Sequence, residues 1–165
     1  MKEQNMNILT QTQIAYLAGF IDGDGSIIAQ IVKRSDYILN YQIKVSVNFI
    51  QRKERKHFLL QFKNEVGTGT LRDRNDGITE LNIVGINSVL PFLKQLQPFL
   101  RLKRKQANLV IQIIEQLPLT KNDPQKFLDL CKLADQVANL NDSKNRSIST
   151  DTVKMTFQDL GLIKK

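Results

Sequence analysis

Ala15, Gly19 and Gly23 recur at every fourth position in a helix-compatible segment that runs from Thr12 to Gly23 or Gly25. That spacing puts all three on one helical stripe carrying almost no side chain. Thr12 is expected as the cap and a glycine as the stop. Glycine in a helix interior costs about 1 kcal/mol relative to alanine, so two of them need a reason. Two reasons fit: the helix packs tightly on its own sheet, or a second backbone approaches along the stripe. The second follows the logic of small-xxx-small helix pairs. The chain has no internal repeat, so the partner would be the same helix of a second subunit across a two-fold axis. Ala15, Gly19 and Gly23 are therefore the candidate dimer interface.

The stripe ends in Asp24. A carboxylate at a helix C-terminus meets the negative end of the dipole. In a symmetric pair, two carboxylates and two dipole ends would repel unless cations lie between them. Hard divalent ions with oxygen ligands, such as Mg²⁺, meet that demand. Two metals there can activate water and stabilise the leaving oxygen of a phosphate. The plain alternative for Asp24 is a turn residue of an Asp-Gly pair. Asp22, on the same helix, is expected to be structural.

Next, Ser26–Arg34 is rich in Ile and Val, and Tyr41–Ile50 alternates strictly, with Ile43, Val45, Val47 and Phe49 apolar between polar neighbours. That is a half-buried antiparallel strand, joined to its partner by a turn over 35–40. From Arg52 to Val66 the period becomes helical, with Phe58, Leu59, Phe62 and Val66 on one face. Thr70–Arg74 and Thr79–Val84 form a second ribbon through Asn75-Asp76-Gly77. Helices are expected over Ser88–Leu100, interrupted by Pro98, over Gln106–Leu117, and over Phe127–Leu140. Thr150–Leu160 reads as a peripheral helix. The order α-β-β-α-β-β-α, with further C-terminal helices, makes an α+β fold. With 165 residues, one domain over 1–165 is expected, its core at about 12–145 and 146–165 a peripheral tail.

The wet face of these ribbons carries Gln30, Arg34, Gln42, Lys44, Ser46, Asn48, Arg72, Arg74, Glu80 and Asn82. These types read base edges, and a two-stranded ribbon enters the DNA major groove. A ten-residue strand spans about 33 Å, near the ~34 Å turn of B-DNA. A generic solvated sheet face would also look like this. The charge points the same way: 24 Lys and Arg against 16 Asp and Glu give +8, which favours nucleic acid or an anionic membrane surface over a merely soluble basic protein. Arg52, Lys53, Arg55 and Lys56, then Arg101, Lys103, Arg104 and Lys105, form basic clusters suited to phosphates or to a solvated face. Lys144 and Arg146 form a smaller one. One Cys and one His make neither a disulfide nor a zinc site. No run is long enough for a membrane span, and no signal-peptide core opens the chain, so a reducing aqueous compartment is expected.

Tyr16-Leu17-Ala18-Gly19-Phe20-Ile21-Asp22-Gly23-Asp24-Gly25-Ser26 resembles the signature of the LAGLIDADG homing endonucleases. Leu96-Gln97-Pro98-Phe99-Leu100-Arg101-Leu102-Lys103-Arg104-Lys105-Gln106-Ala107-Asn108 and Leu140-Asn141-Asp142-Ser143-Lys144 resemble its single-motif, intron-encoded branch. The resemblance spans about Ala15 to Lys144. It implies a homodimer whose β-ribbons form a DNA-binding saddle, and cleavage of both strands of a long, nearly palindromic target. It implies divalent metal, Mg²⁺ with Mn²⁺ as substitute, on Asp24 and the Gly23 carbonyl. Gln51 would position water, while Arg55 and Lys103 would offset charge at the scissile phosphates. Base contacts would come from the ribbon face, with Tyr37, Asp36 and Ile28 added, and Ser143 and Lys144 would touch the DNA backbone. No membrane and no small-molecule substrate is implied, and the setting would be an organelle, a chloroplast intron.

Phe20 and Gly23 stand where the family name has Leu and Ala. Val32 and Ile50 lie on the ribbon face among the polar readers, where they suit thymine methyls. Two other functions fit the same architecture: an RNA-binding maturase and a DNA-binding regulator without cleavage. Intact Asp24, Gln51 and Lys103 speak against the regulator. The polar ribbon speaks against RNA, whose major groove is deep and narrow.

Overall fold

The structure, a computed structural model, describes residues 6–141 and 146–165. Helix α1 spans Gln11–Asp24, strand β1 Gly25–Lys33 and β2 Tyr41–Arg52. Helix α2 covers Lys56–Val66, β3 Thr70–Asp73 and β4 Ile78–Val84. Helices α3 (Ile86–Leu96), α4 (Arg104–Gln116), α5 (Pro124–Leu140) and α6 (Thr150–Asp159) complete the chain.

The expected α+β order is found, with several boundaries moved for physical reasons. Thr10, not Thr12, caps α1: its hydroxyl accepts from the Gln13 N–H, and the Gln13 side chain accepts from the Thr10 N–H. That reciprocal capping box needs Gln or Glu three residues on, and three residues beyond Thr12 stands Ala15. Helix α5 begins three residues before the expected Phe127, because Asp123 caps it and Pro124 fits its first turn. Helix α3 starts two residues early and accommodates Pro91. Its expected C-terminal stretch is instead a 3₁₀ turn, Gln97–Phe99, around Pro98.

The four strands form one antiparallel sheet in the order β1-β2-β4-β3. Its second hairpin turns at Gly77, whose φ of 80° suits glycine. Strict alternation puts Tyr41, Ile43, Val45, Val47 and Phe49 of β2 in the core, with Ile27 and Ile31 of β1 and Leu81 and Ile83 of β4. The other face of the sheet is wet. On the buried side, Phe49 packs with Phe20, Phe62 and Phe92, at ring-centroid separations of 5.5–6.3 Å. Helices α4 and α5 close the rest of the core through Val110, Ile113, Phe127, Leu130 and Cys131. Burial raises the Cys131 thiol to about 12, which makes it an inert core residue. Helix α6, expected at the periphery, buries Val153 and Phe157 completely, and Thr156 hydrogen-bonds the Tyr41 hydroxyl at 2.8 Å.

Candidate DNA-cleavage site and nucleic-acid interface

Helix α1 has two unlike faces. Leu17, Ala18 and Ile21 are fully buried, whereas Ala15, Gly19 and Gly23 are exposed. A methyl added at Gly19 or Gly23 would meet nothing within 4 Å. Packing of the helix on its own sheet therefore does not explain the two glycines. Gly25 differs: a Cβ there would lie 2.7 Å from the Ile21 Cα, so it is glycine because β1 leaves the helix at close quarters.

At the end of this helix the two aspartates part. Asp24 is exposed and Asp22 half-buried. The Gln51 amide donates to Asp24 Oδ2 at 3.5 Å, and Arg55 Nη1 donates to Gln51 Oε1 at 3.3 Å. Lys103 Nζ donates to the Ile21 carbonyl at 2.8 Å and also to that of Gly25. Its charge thus offsets the C-terminal dipole of α1 beside Asp24. Four residues from α1, the end of β2, the 3₁₀ turn Lys53–Arg55 and the loop before α4 converge here. The Gly23 carbonyl belongs to the last turn, whose C=O groups have no intrahelical donor.

A carboxylate and a free carbonyl suit a hard divalent cation. Among the described residues, however, no three His, Cys, Asp or Glu side chains gather to complete a shell.

The expected ribbon face is assembled in rows. Gln30 pairs with Lys44, Ile28 with Ser46 and Val32 with Gln42 across β1 and β2. Asn48 faces Asn82 and hydrogen-bonds it, and Ile50 faces Glu80, which in turn faces Arg72. Asn82 also donates to Glu80 (3.5 Å), and Arg74 to Glu80 (3.3 Å) and Asp76 (2.6 Å). A hydrogen-bonded chain thus runs from Asn48 to Asp76. At the first hairpin Arg34 makes two bonds to Asp36 (2.8 and 2.7 Å), one to Gln42 (2.9 Å), and stacks over Tyr37 at 4.7 Å. The Arg34 guanidinium holds the Asp36 carboxyl below its ordinary value, and Asp36 raises Arg34 in return.

Sequence reasoning missed Val84 on this face, 52% exposed opposite Ser46, and Ser26 and Thr70 in the Asn48–Asn82 row. Strand parity was the signal for all three. Arg146 is turned to α5, donating to the Asp135 carboxylate at 3.1 Å and its carbonyl at 3.2 Å. Ser143 and Lys144 lie outside the described residues.

A family model described as LAGLIDADG endonuclease matches residues 17–103. DNA endonuclease I-CreI of Chlamydomonas reinhardtii is 46% identical over 152 residues, covering 92% of this chain and 93% of that protein. DNA endonuclease I-CvuI of Chlorella vulgaris is 46% identical over 158 residues, covering 96% and 98%. A crystal structure of I-CvuI, bound to the I-CreI target in 2 mM Mg with the DNA not cleaved, superposes with a TM-score of 0.88. It is 45% identical and covers 93% of this chain and 97% of that one.

Proposed function

From the premise that this chain belongs to the LAGLIDADG endonuclease family and is a site-specific DNA endonuclease, we propose that it acts as a homodimer on a long, pseudo-palindromic duplex. It breaks both strands and so initiates intron homing. The observation that carries this reading is the convergence of Gln51, Arg55 and Lys103 around Asp24 at the end of an uncovered glycine stripe.

The geometry supports the reading in several places. The open space over Gly19 and Gly23 supports a seam in which α1 meets its symmetry mate along Ala15, Gly19 and Gly23. The seam juxtaposes two Asp24 carboxylates and two Gly23 carbonyls, which answers the shortfall of ligands in a single chain. Mg²⁺, with Mn²⁺ as substitute, would be held by Asp24 and the Gly23 carbonyl; when bound it supplies Lewis acidity and an acidified water. Gln51 orients a water through its amide while Arg55 holds the opposite end of that amide. Lys103 and Arg55 place positive charge where the phosphate becomes more negative.

The ribbon face supplies specificity. Gln30, Gln42, Lys44, Asn48, Arg72 and Asn82 present the donors and acceptors that distinguish base pairs in the major groove, and Ile28, Val32 and Ile50 present surface for thymine methyls. Ser46, Arg74, Glu80, Arg34, Asp36 and Tyr37 are proposed as DNA contacts too, with Arg34 also bonded to Gln42 and Glu80 to Asn82. Ser143, Lys144 and Arg146 are proposed at the DNA backbone, for which Arg146 must leave Asp135. The whole of 1–165 serves as one endonuclease domain. An organelle, a chloroplast, is the proposed setting, supported by the relatives from Chlamydomonas reinhardtii and Chlorella vulgaris.

The test is a plasmid carrying the intronless insertion site of this chain's own gene, incubated with Mg²⁺ or with EDTA. Linear product only with Mg²⁺ supports the reading. Intact plasmid with both Mg²⁺ and Mn²⁺, together with tight binding of intron RNA, overturns it.

A further inference from the structure

Asp22 sits two residues from Asp24 but does a different job. Its Oδ2 accepts the Arg101 N–H at 2.8 Å and its Oδ1 accepts the Lys103 N–H at 3.0 Å. Both carboxylate oxygens are thus spent on one short connection, 79 and 81 residues away in sequence. That connection lies between the 3₁₀ turn and α4 and has no regular structure of its own. Leu100 at its start is buried in the core, but Leu102 at its centre is 76% exposed, so apolar packing does not hold the stretch from Arg101 to Lys103. Its C-terminal end is fixed by α4, where the Ala107 N–H donates to the Lys103 carbonyl at 3.1 Å. Its start is fixed by Leu100, buried and with its N–H donating to the Leu96 carbonyl at 3.2 Å, and between these two ends it is held on α1, through Asp22 and through Lys103 Nζ.

We propose that Asp22 is a positioning residue for the cleavage step: by clamping the backbone N–H groups of Arg101 and Lys103, it delivers the Lys103 ammonium to the end of α1 beside Asp24. The proposal rests on the reading of Lys103 as the cation that faces the scissile phosphate. Lysine carries its charge on a flexible four-carbon stem. An ammonium so carried is useful in a transition state only when its backbone root is fixed. The clamp fixes that root, and Nζ then bridges the Ile21 and Gly25 carbonyls on either side of the Asp22–Asp24 segment. Asp22 therefore acts on chemistry through another residue. Among the described residues, its side-chain hydrogen bonds run to the Arg101 and Lys103 N–H groups and not to the ribbon face.

A double-mutant cycle tests this on the full-length protein, using single-turnover cleavage of the target duplex with Mg²⁺, binding of the same duplex by gel shift, and thermal melting. Asp22→Asn keeps the shape but turns an amide NH₂ toward one of the two N–H donors. It should lower the single-turnover rate about 10–100-fold, the usual effect of losing a group that orients a site residue, and leave DNA affinity unchanged. Lys103→Ala should lower the rate too, and adding Asp22→Asn to it should cause no further loss. Two results overturn the proposal: an unchanged rate for Asp22→Asn, or an equal loss from Asp22→Asn with and without Lys103, which marks a merely structural role. If Lys103→Ala alone cuts at the wild-type rate, the reading of Lys103 falls and this proposal with it. Should Asp22→Asn melt below assay temperature, Asp22→Glu goes through the same cycle. It keeps the charge but displaces the carboxylate by one methylene, and the same losses and non-additivity are required of it.

Discussion

Gly19→Ala has opposite expected signs inside one chain and between two, which makes it a sharp probe of assembly. Within the chain, the new methyl meets no atom within 4 Å. Alanine in place of glycine inside α1 should then favour the helix by about 1 kcal/mol. A monomer carrying the change should melt higher. In the proposed dimer the methyl enters the seam from both subunits, because a two-fold interface repeats every substitution. Overpacking a close contact costs about 1–3 kcal/mol, equivalent to roughly 5- to 150-fold weaker dimerisation. Sedimentation equilibrium over a concentration series reads the dimer constant, and thermal melts at high and low concentration separate the two effects. The expected result is a weaker dimer with an undiminished monomer fold. A variant that is both more stable and as dimeric as the wild type would refute the seam, as would a wild-type monomer at micromolar concentration.

Two further predictions concern stability. Asp73 accepts a hydrogen bond from the Thr79 hydroxyl at 2.8 Å and one from Lys56 at 3.0 Å, which together hold its carboxyl below the ordinary value. Its contribution is therefore present above about pH 4, the unfolded value, and is lost as pH falls toward the lower folded value. Carboxyl NMR should give a midpoint below that of a free aspartate, moving upward in Thr79→Val; a midpoint at or above the free value contradicts this. Phe157→Ala removes a fully buried ring that packs on Tyr41 and Phe127 and should cost about 3–5 kcal/mol in denaturant unfolding. A loss below about 1 kcal/mol, the scale of an ordinary surface change, would show that α6 does not hold the core together.

Much of the architecture was legible because it is periodic. Strand β2 announces itself by alternation from Tyr41 to Ile50, and that parity alone assigns Gln42, Lys44, Ser46 and Asn48 to the wet face. The Asp76-Gly77 turn and the amphipathic stripes of α2, α4 and α5 are equally local signals. The start of α1 was misplaced because Thr10 and Thr12 both offer a cap hydroxyl, and only the reciprocal partner Gln13 separates them.

The parts of the site that depend on distant residues were not legible. The pattern brought Asp24 to the end of a small-residue stripe and left Asp22 with an unspecified structural role. Its partners are main-chain N–H groups some eighty positions away, and backbone donors have no residue-type signature. The seat of Lys103 on the Ile21 and Gly25 carbonyls is hidden for the same reason. Likewise, the bond from Asn48 to Asn82 depends on strand register between β2 and β4, which neither segment encodes alone.

The central claim is that Asp24 carries chemistry while the sheet carries recognition. Its most direct test measures Asp24→Asn on one target duplex, with cleavage and binding followed side by side in Mg²⁺. Asparagine keeps the size and loses the charge that a hard cation requires. No detectable double-strand cleavage and a gel-shift affinity close to that of the wild type are expected. Cleavage at the wild-type rate would contradict this and move the metal site away from the end of α1.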